Sequence, residues 1–193
     1  MSFDPSQVRP MGGGREQRTV ATTRDVVSRQ VPDGNLVTLP ANTFVNITQA
    51  LGGTYTVTYR GNMYRVDGSD ADALGQTPLD FHFDPPEADG SVREEDVERA
   101  LDSVYDPEIP VSVLSLGLVY ECDILQRDGK NVVRIRMTLT APTCGMGPVL
   151  VGDVKTRVAL VPNVDEVDVD LVFDPPWSRD MMSEEALLEL GLF

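Results

Sequence analysis

A chain of 193 residues, 41% hydrophobic and 24% charged, is long enough to bury one or two cores, and it has no run of about 18 apolar residues to predict a membrane span. The first residues lack the apolar block of a secretory signal, so we expect a cytoplasmic protein whose two cysteines stay reduced. Residues 1–66 carry a net charge of +3 and residues 67–193 one of −18, which argues against nucleic acid as a partner because phosphate backbones are bound by clustered Lys and Arg.

The N-terminal part of the chain predicts a tail followed by a small β module. Residues 1–20 contain prolines, a glycine triplet and few apolar residues, so we expect a mobile tail. Residues 21–76 hold short β-like runs separated by turn signals, among them Val26–Val31 and Leu36–Leu39. Two further runs flank Gly61-Asn62, a pair typical of a two-residue hairpin loop. The module has few apolar residues, so we expect it to pack on the rest of the chain or on a partner.

Residues 77–91 are the predicted linker. The whole stretch from Asp67 to Gly90 is polar and rich in proline and glycine, which indicates connecting structure. It contains His82, the only histidine of the chain, for which a packed or surface role is favoured over metal ligation.

Residues 92–193 predict a second domain. Ser91 and Glu94 have the spacing of a helix capping box, and Val97 and Leu101 follow at helical spacing. Two alternating runs then predict a hairpin, followed by a helix, a third strand and a short helix capped by Ser183. The order helix-strand-strand-helix-strand-helix predicts an α+β fold, in which a two-layer α/β domain follows the all-β module.

The two cysteines have different predicted environments. Cys122 lies in the first strand of the hairpin and shares a face with Leu118 and Ile124, so we expect a buried, inert thiol. Cys144 follows the second strand in a glycine-flanked turn, just before the helix that begins near Pro148. Unpaired N–H groups at a helix N-terminus favour an anion, so a lowered pKa and a nucleophilic, metal-binding thiolate are expected at Cys144.

Other residues near this turn have simpler interpretations. Gly145 and Gly147 would let a ligand approach the backbone closely. Asp106 and Glu108 lie on a stiff, proline-containing loop, where their spacing alone favours solvated carboxylates over metal ligands.

Five motifs in one order resemble the PaaD-like domain of iron-sulfur cluster assembly proteins. They occupy about residues 92–193 and read Asp106-Pro107-Glu108-Ile109-Pro110, Leu116-Gly117-Leu118-Val119-Tyr120, Thr140-Ala141-Pro142-Thr143-Cys144-Gly145-Met146-Gly147-Pro148, Asp174-Pro175-Pro176-Trp177 and Met182-Ser183-Glu184-Glu185-Ala186. Together with two segments of the β module, Ala50-Leu51-Gly52-Gly53-Thr54-Tyr55-Thr56-Val57 and Asp70-Ala71-Asp72-Ala73-Leu74-Gly75, they make the whole chain similar to the SufT type of that family.

The resemblance implies an accessory role in iron-sulfur protein maturation, without turnover of a substrate. The reactive loop cysteine of the family corresponds to Cys144. Short relatives usually have proline after this cysteine, so Gly145 predicts a more flexible thiol loop. The family's acids and the threonines before its cysteine correspond to Asp106, Glu108, Thr140 and Thr143.

The resulting hypothesis is that the Cys144 thiolate transiently ligates iron or an iron-sulfur cluster during delivery, with no permanently bound cofactor. A cluster normally takes four thiolates, and the chain has two cysteines. The assembly machinery, client apo-proteins, small thiols or a second copy in a homodimer must therefore supply the remaining ligands. A closed structural zinc site is excluded by the same count.

Three alternatives stay open from the residues alone. A thiol-dependent hydrolase or peroxide-reducing protein needs a base beside Cys144, and His82 is the only imidazole. A dinucleotide-binding fingerprint starting at Gly145 has Leu150 where the third glycine or alanine belongs. A pure interaction adaptor would not need the Cys144 thiol.

Overall fold

The computed structural model of the protein describes residues 18–51, 53–80, 82–142 and 145–192. The predicted tail, residues 1–20, lies almost entirely outside this range, and so do Thr143 and Cys144. The described residues form a six-stranded sheet, a three-stranded sheet and three α-helices, which confirms the predicted α+β class.

The first sheet contains six antiparallel strands in the order β1-β4-β5-β6-β2-β3. Their bounds are β1 Arg18–Ala21, β2 Val26–Val31, β3 Leu36–Leu39, β4 Phe44–Leu51, β5 Thr54–Tyr59 and β6 Asn62–Asp67. Aliphatic side chains on one face form a small core of their own, which includes Val26, Leu39, Val45, Val57 and Val66. The all-β module predicted from the turn signals is therefore present.

Two details of this module differ from the sequence prediction. The hairpin loop is Arg60-Gly61 rather than Gly61-Asn62, because Tyr59 pairs directly with Asn62. Arg60 and Gly61 both have positive φ, 48° and 79°, as the favoured two-residue hairpin turn requires. The beginning of the expected connector instead forms 3₁₀-helical turns over Gly68–Leu74, because Ala73 and Leu74 are buried in the module's core.

The second sheet has the order β7-β8-β9 and carries the three α-helices. The elements are α1 Glu94–Asp102, β7 Val119–Arg127, β8 Lys130–Met137, α2 Gly147–Val158, β9 Glu166–Leu171, a 3₁₀ turn Arg179–Met181 and α3 Glu184–Glu189. β7 and β8 form the predicted antiparallel hairpin, whereas β9 runs parallel to β8. Parallel neighbours need a crossover connection, and α2 provides it. None of the described helices combines the length and apolarity needed to cross a membrane.

The predicted capping box at Ser91 is wrong. Arg93 is the N-cap residue of α1, and the Ser91 N–H donates to Asp89 Oδ1 in the preceding turn, so Ser91 stays outside the helix. The prediction for Ser183 is confirmed, since its Oγ accepts a hydrogen bond from the N–H of Ala186 at the start of α3.

α2 lies between the two sheets and contacts both. Its apolar side chains enter the core of the second sheet, namely Leu150, Val154 and Val158. On another side of the helix, Asp153 and Arg157 form ion pairs with β6, and the Gly152 carbonyl accepts a hydrogen bond from β2. The expectation that the β module packs on the rest of the chain is thus confirmed.

Candidate functional site

The helix that follows the predicted thiol loop begins one residue earlier than expected. Met146 is the N-cap residue of α2 and supplies no side-chain cap, and Pro148 occupies the second helical position. The carbonyl of Met146 accepts the N–H of Leu150 at 3.0 Å, which closes the first turn. First-turn N–H groups have no intrahelical partner, so this end of α2 favours a negative charge in the residues that precede it.

The two predicted loop glycines differ in their surroundings. A Cβ atom on Gly145 would meet no atom of the other described residues within 4 Å, so among those residues there is open space beside this glycine. A Cβ atom on Gly147 would come 2.9 Å from Leu139 Cδ1. The absence of a side chain at Gly147 therefore lets the start of α2 pack closely on Leu139, two residues after the end of β8.

Cys122 is exposed, and the prediction of a buried thiol is wrong. The pairing of β7 with β8 shifts register between Val119 and Glu121, and this bulge breaks the simple alternation on which the prediction depends. Among the described strands, β7 is also an edge strand, with β8 as its only neighbour. Although the residue as a whole is exposed, its thiol is partly desolvated, and this desolvation, followed by the negative charges of Asp123, Glu98 and Glu94, raises the pKa of the thiol to about 11. Cys122 is therefore a protonated, weakly reactive thiol at neutral pH.

The two acids of the proline loop have separate roles. Asp106 is 5% exposed, and its Oδ1 accepts hydrogen bonds from the N–H groups of Glu108 at 2.8 Å and Ile109 at 3.0 Å. The expectation of a solvated carboxylate is wrong for Asp106, whose side chain holds the loop in a turn. Glu108 is exposed, as expected. Among the described residues, no three His, Cys, Asp or Glu side chains are grouped so as to hold a metal ion.

Thr138 and Thr140 follow β8, which ends at Met137, and precede Cys144 in the sequence. Thr140 is half-buried, whereas Thr138 is 1% exposed. Its N–H donates to the Leu118 carbonyl, but its Oγ1 has no hydrogen-bond partner among the described residues. The sequence did not predict this buried hydroxyl, because its burial depends on residues that are distant in the sequence.

His82 lies on the surface, with its side chain 86% exposed and its Nδ1 2.9 Å from Asp80 Oδ2. The hydrolase alternative requires His82 beside Cys144, which lies outside the described residues. An exposed histidine paired with a surface acid agrees with the surface role predicted for this residue.

A group of buried charges between α2 and the β module was not predicted. Arg65 Nη2 lies 2.9 Å from Asp153 Oδ2, and Arg157 Nη2 lies 3.0 Å from Asp67 Oδ2. Burial raises the pKa of Asp153, and the positive charge of Arg65 opposes this effect. Arg65 Nε has no hydrogen-bond partner among the described residues, so the ion pair leaves one N–H of the buried guanidinium unsatisfied. The sequence feature that could have indicated these ion pairs is the spacing of the charged residues, which are two positions apart on β6 and four positions apart on α2.

The sequence of the second domain matches known proteins. The family described as "Iron-sulfur cluster assembly protein" matches residues 94–169. A "Fe-S protein maturation auxiliary factor" from Porphyromonas gingivalis is 52% identical over 98 residues, which are 51% of this chain and 90% of the relative. The chain belongs to the iron-sulfur cluster assembly protein family. This confirms the resemblance inferred from the five motifs.

Further matches of this iron-sulfur cluster assembly protein cover a similar share of the chain. The "Fe-S protein maturation auxiliary factor SufT" from Staphylococcus aureus is 40% identical over 89 residues, which are 46% of this chain and 98% of the relative. A solved structure of a domain of unknown function, DUF59, from Bacillus anthracis is 39% identical, covers 52% of this chain and 92% of its own, and has a TM-score of 0.47. The family match begins at Glu94, the first residue of α1, so the β module lies outside it.

Proposed function

We propose that this chain is a non-enzymatic accessory factor that assembles iron-sulfur clusters or delivers them to apo-proteins, with Cys144 as the reactive thiol. The observation that carries the proposal is the 52% identity to a relative named Fe-S protein maturation auxiliary factor, 90% of which this chain covers. The cluster or its iron is cargo in this proposal, and no cofactor is permanently bound.

The contrast between the two cysteines supports Cys144 as the ligand. Iron binds thiolate rather than thiol, and the raised pKa of Cys122 keeps that side chain protonated at neutral pH. Cys144 lies two residues before Met146, the N-cap residue of a twelve-residue helix. A helix N-terminus stabilises a nearby anion, so thiolate formation is favoured in this stretch of the chain.

The proposed supporting residues include two that shape the proline loop and the start of α2. Asp106 fixes the turn of the proline loop, and Gly147 allows the close packing of α2 on Leu139. Glu108 offers an exposed carboxylate, and among the described residues there is open space beside Gly145. The remaining members of the proposed site are Thr140 and Thr143.

The number of thiols requires partners. A cluster normally takes four cysteine ligands, and this chain has two cysteines, of which Cys122 is poorly suited. We therefore propose that the assembly machinery, a client apo-protein or the second copy in a homodimer completes the coordination. The proposal places this exchange in the cytoplasm.

The proposal is tested in cells by replacing the protein with its Cys144→Ser variant and assaying a panel of iron-sulfur enzymes. We expect the activities to fall to the level of a strain that lacks the protein, whereas the matched Cys122→Ser variant supports normal activities. In parallel, the purified variants are titrated anaerobically with ferrous iron and sulfide, and absorbance reports cluster formation. Normal enzyme activities with Cys144→Ser would show that the protein acts as an adaptor without this thiol.

A further inference from the structure

We propose that the β module is a detachable unit, which leaves α2 and docks on it again while the module and the second domain both stay folded. Detachment uncovers the side of α2 that carries Asp153 and Arg157, since these two residues face the module in the docked state. The inference depends on contacts among the described residues and is independent of the proposed function.

Each of the two units has a hydrophobic core of its own. The core of the module includes Val57 and Val66, and that of the second domain includes Ile135, Leu150 and Val154. The described residues of the two cores have no member in common. Because burial of apolar surface is the dominant favourable term in folding, each unit contains the main source of its own stability.

The contacts of the connecting segment divide between the same two units. The N–H of Leu79 donates to the carbonyl of Gly68 at 2.8 Å, at the end of the module. The carbonyl of His82 accepts a hydrogen bond from Arg99 of α1, and Phe83 packs against the core of the second domain. Leu79 therefore belongs to the module, whereas His82 and Phe83 belong to the second domain.

The contact between the module and α2 is largely polar. Arg65 pairs with Asp153 at 2.9 Å and Arg157 pairs with Asp67 at 3.0 Å, and all four side chains are at most 10% exposed. Arg29 Nη2 also donates to a carbonyl oxygen in the middle of α2 at 3.1 Å. The attraction within a buried ion pair is largely offset by the cost of removing both charges from water. The contact thus defines one docked orientation without adding much net stability.

Docking also leaves one buried polar group unsatisfied. Arg65 Nε is buried and has no hydrogen-bond partner among the described residues. A buried donor without a partner costs free energy, and water can satisfy it once the module has moved away. An interface between domains permits relative motion unless it is large and hydrophobic. These two conditions together favour reversible detachment.

Relatives that lack the module provide a separate argument. The 98 aligned residues make up 90% of the Porphyromonas gingivalis relative, and the 89 aligned residues make up 98% of the Staphylococcus aureus relative. Both relatives are therefore too short to contain a β module as well as the second domain. The family match in this chain begins at Glu94, after the module. A second domain without a module on α2 is the arrangement that detachment produces.

The test follows the unfolding of the two units separately in the full chain. Trp177 is the only tryptophan and packs against the core of the second domain, so its fluorescence reports the unfolding of that domain in urea. Pulsed hydrogen exchange of residues 54–67, measured by mass spectrometry, reports the unfolding of the module. We expect the module to unfold at the lower urea concentration, because its core contains fewer buried apolar side chains.

Arg65→Met is the variant that should favour detachment. It leaves Asp153 buried without its partner, but only while the module is docked. We expect the urea midpoint of the module to fall by at least about 1 M, while the midpoint reported by Trp177 stays unchanged. Without urea, the radius of gyration from small-angle X-ray scattering should increase, because detached units lie further apart.

Arg24→Met is the matched control within the module. Arg24 pairs with Asp70 and Asp72, which belong to the module as well, and these side chains are exposed. The variant removes an arginine without touching α2, so both midpoints and the radius of gyration should stay close to those of the parent.

A double variant separates detachment from a failure of the module to fold. Arg65→Met combined with Asp153→Leu replaces the buried pair by apolar side chains, a change that is often neutral or stabilising. We expect the radius of gyration of the parent and a module midpoint at least as high as that of the parent. This result would show that the module folds with Met at position 65 and that the unpaired Asp153 causes the detachment.

Two results would overturn the proposal. One is a single transition, in which Trp177 fluorescence and exchange of the module coincide and shift together in Arg65→Met, because the chain would then be one cooperative unit. The other is an unchanged radius of gyration in Arg65→Met. Neither measurement involves iron or the Cys144 thiol, so normal iron-sulfur enzymes in Cys144→Ser cells would contradict the proposed function and leave this inference standing.

Discussion

Arg157 and Asp67 form an ion pair between α2 and β6, with Arg157 Nη2 3.0 Å from Asp67 Oδ2 and side-chain exposures of 1% and 10%. The same guanidinium donates to the carbonyl and hydroxyl oxygens of Ser103, the residue that caps the end of α1. Arg157 therefore links α2 to α1 and to the β module. Such a buried arginine fixes the relative orientation of the three elements.

Asp67→Asn tests how strongly this pair holds the two sheets together. The variant keeps the side-chain oxygen that accepts the N–H of Ser69 and removes only the charge that faces Arg157. A buried charge that loses its partner costs about 3–5 kcal/mol, so the free energy of unfolding in urea should fall by about 3 kcal/mol.

The control for this variant is Glu166→Gln, which removes an acid paired with Arg127 and Lys130 on the surface. Solvent screens exposed pairs, so the change should be small. Equal losses of stability in Asp67→Asn and Glu166→Gln would show that the buried Arg157 pair contributes no more to stability than an exposed pair.

Cys122 should react far more slowly than an ordinary thiol. With its pKa raised to about 11 from the usual 9.0, its thiolate fraction at pH 8 is about 100-fold lower than that of an unperturbed cysteine. In the Cys144→Ser variant, the alkylation rate should increase about tenfold per pH unit between pH 7 and 9.5, with no plateau. A small-molecule thiol measured under the same conditions is the reference, and a plateau below pH 9 would contradict the raised pKa.

Local patterns were sufficient to predict most elements of this fold. The alternation of Val133, Ile135 and Met137 gave β8, and the helical spacing of Leu150, Val154 and Val158 gave α2, because each element buries one face. Motifs of short range also led to the correct family. These features depend on residues close to one another in the sequence.

The features that the sequence did not predict depend on contacts between distant segments. Asp67 and Arg157 are 90 positions apart, and no local pattern indicates that they meet. The exposure of Cys122 follows from a bulge and an edge position that exist only once β7 pairs with β8. Asp106 is buried because its own loop folds over it, which the proline spacing alone does not show.

Two serines with similar sequence contexts provide a test of helix capping. Ser183 Oγ accepts the N–H of Ala186, whereas Ser91 lies outside α1. Ser183→Ala should lower the free energy of unfolding by about 1 kcal/mol, and Ser91→Ala should change it by less than about 0.5 kcal/mol. Urea unfolding of both variants measures the difference. A larger loss for Ser91→Ala would support the capping box that the sequence suggests and contradict the structure.

Asp106 and Glu108 separate a structural role from a functional one within a single motif. Asp106→Ala removes two hydrogen bonds from the N–H groups of Glu108 and Ile109, and a hydrogen bond typically contributes about 0.5–1.5 kcal/mol, so we expect a loss of stability of about 1–3 kcal/mol. Asp106→Asn keeps an oxygen in the same place and should recover most of it. Glu108→Ala changes an exposed side chain and should leave the free energy of unfolding nearly unchanged.

The same three variants are then assayed for iron-sulfur enzyme maturation in cells. If Glu108→Ala impairs maturation without loss of stability, the exposed carboxylate acts on the cargo or on a partner. If Asp106→Ala impairs maturation and Glu108→Ala does not, the motif contributes through the shape of its loop.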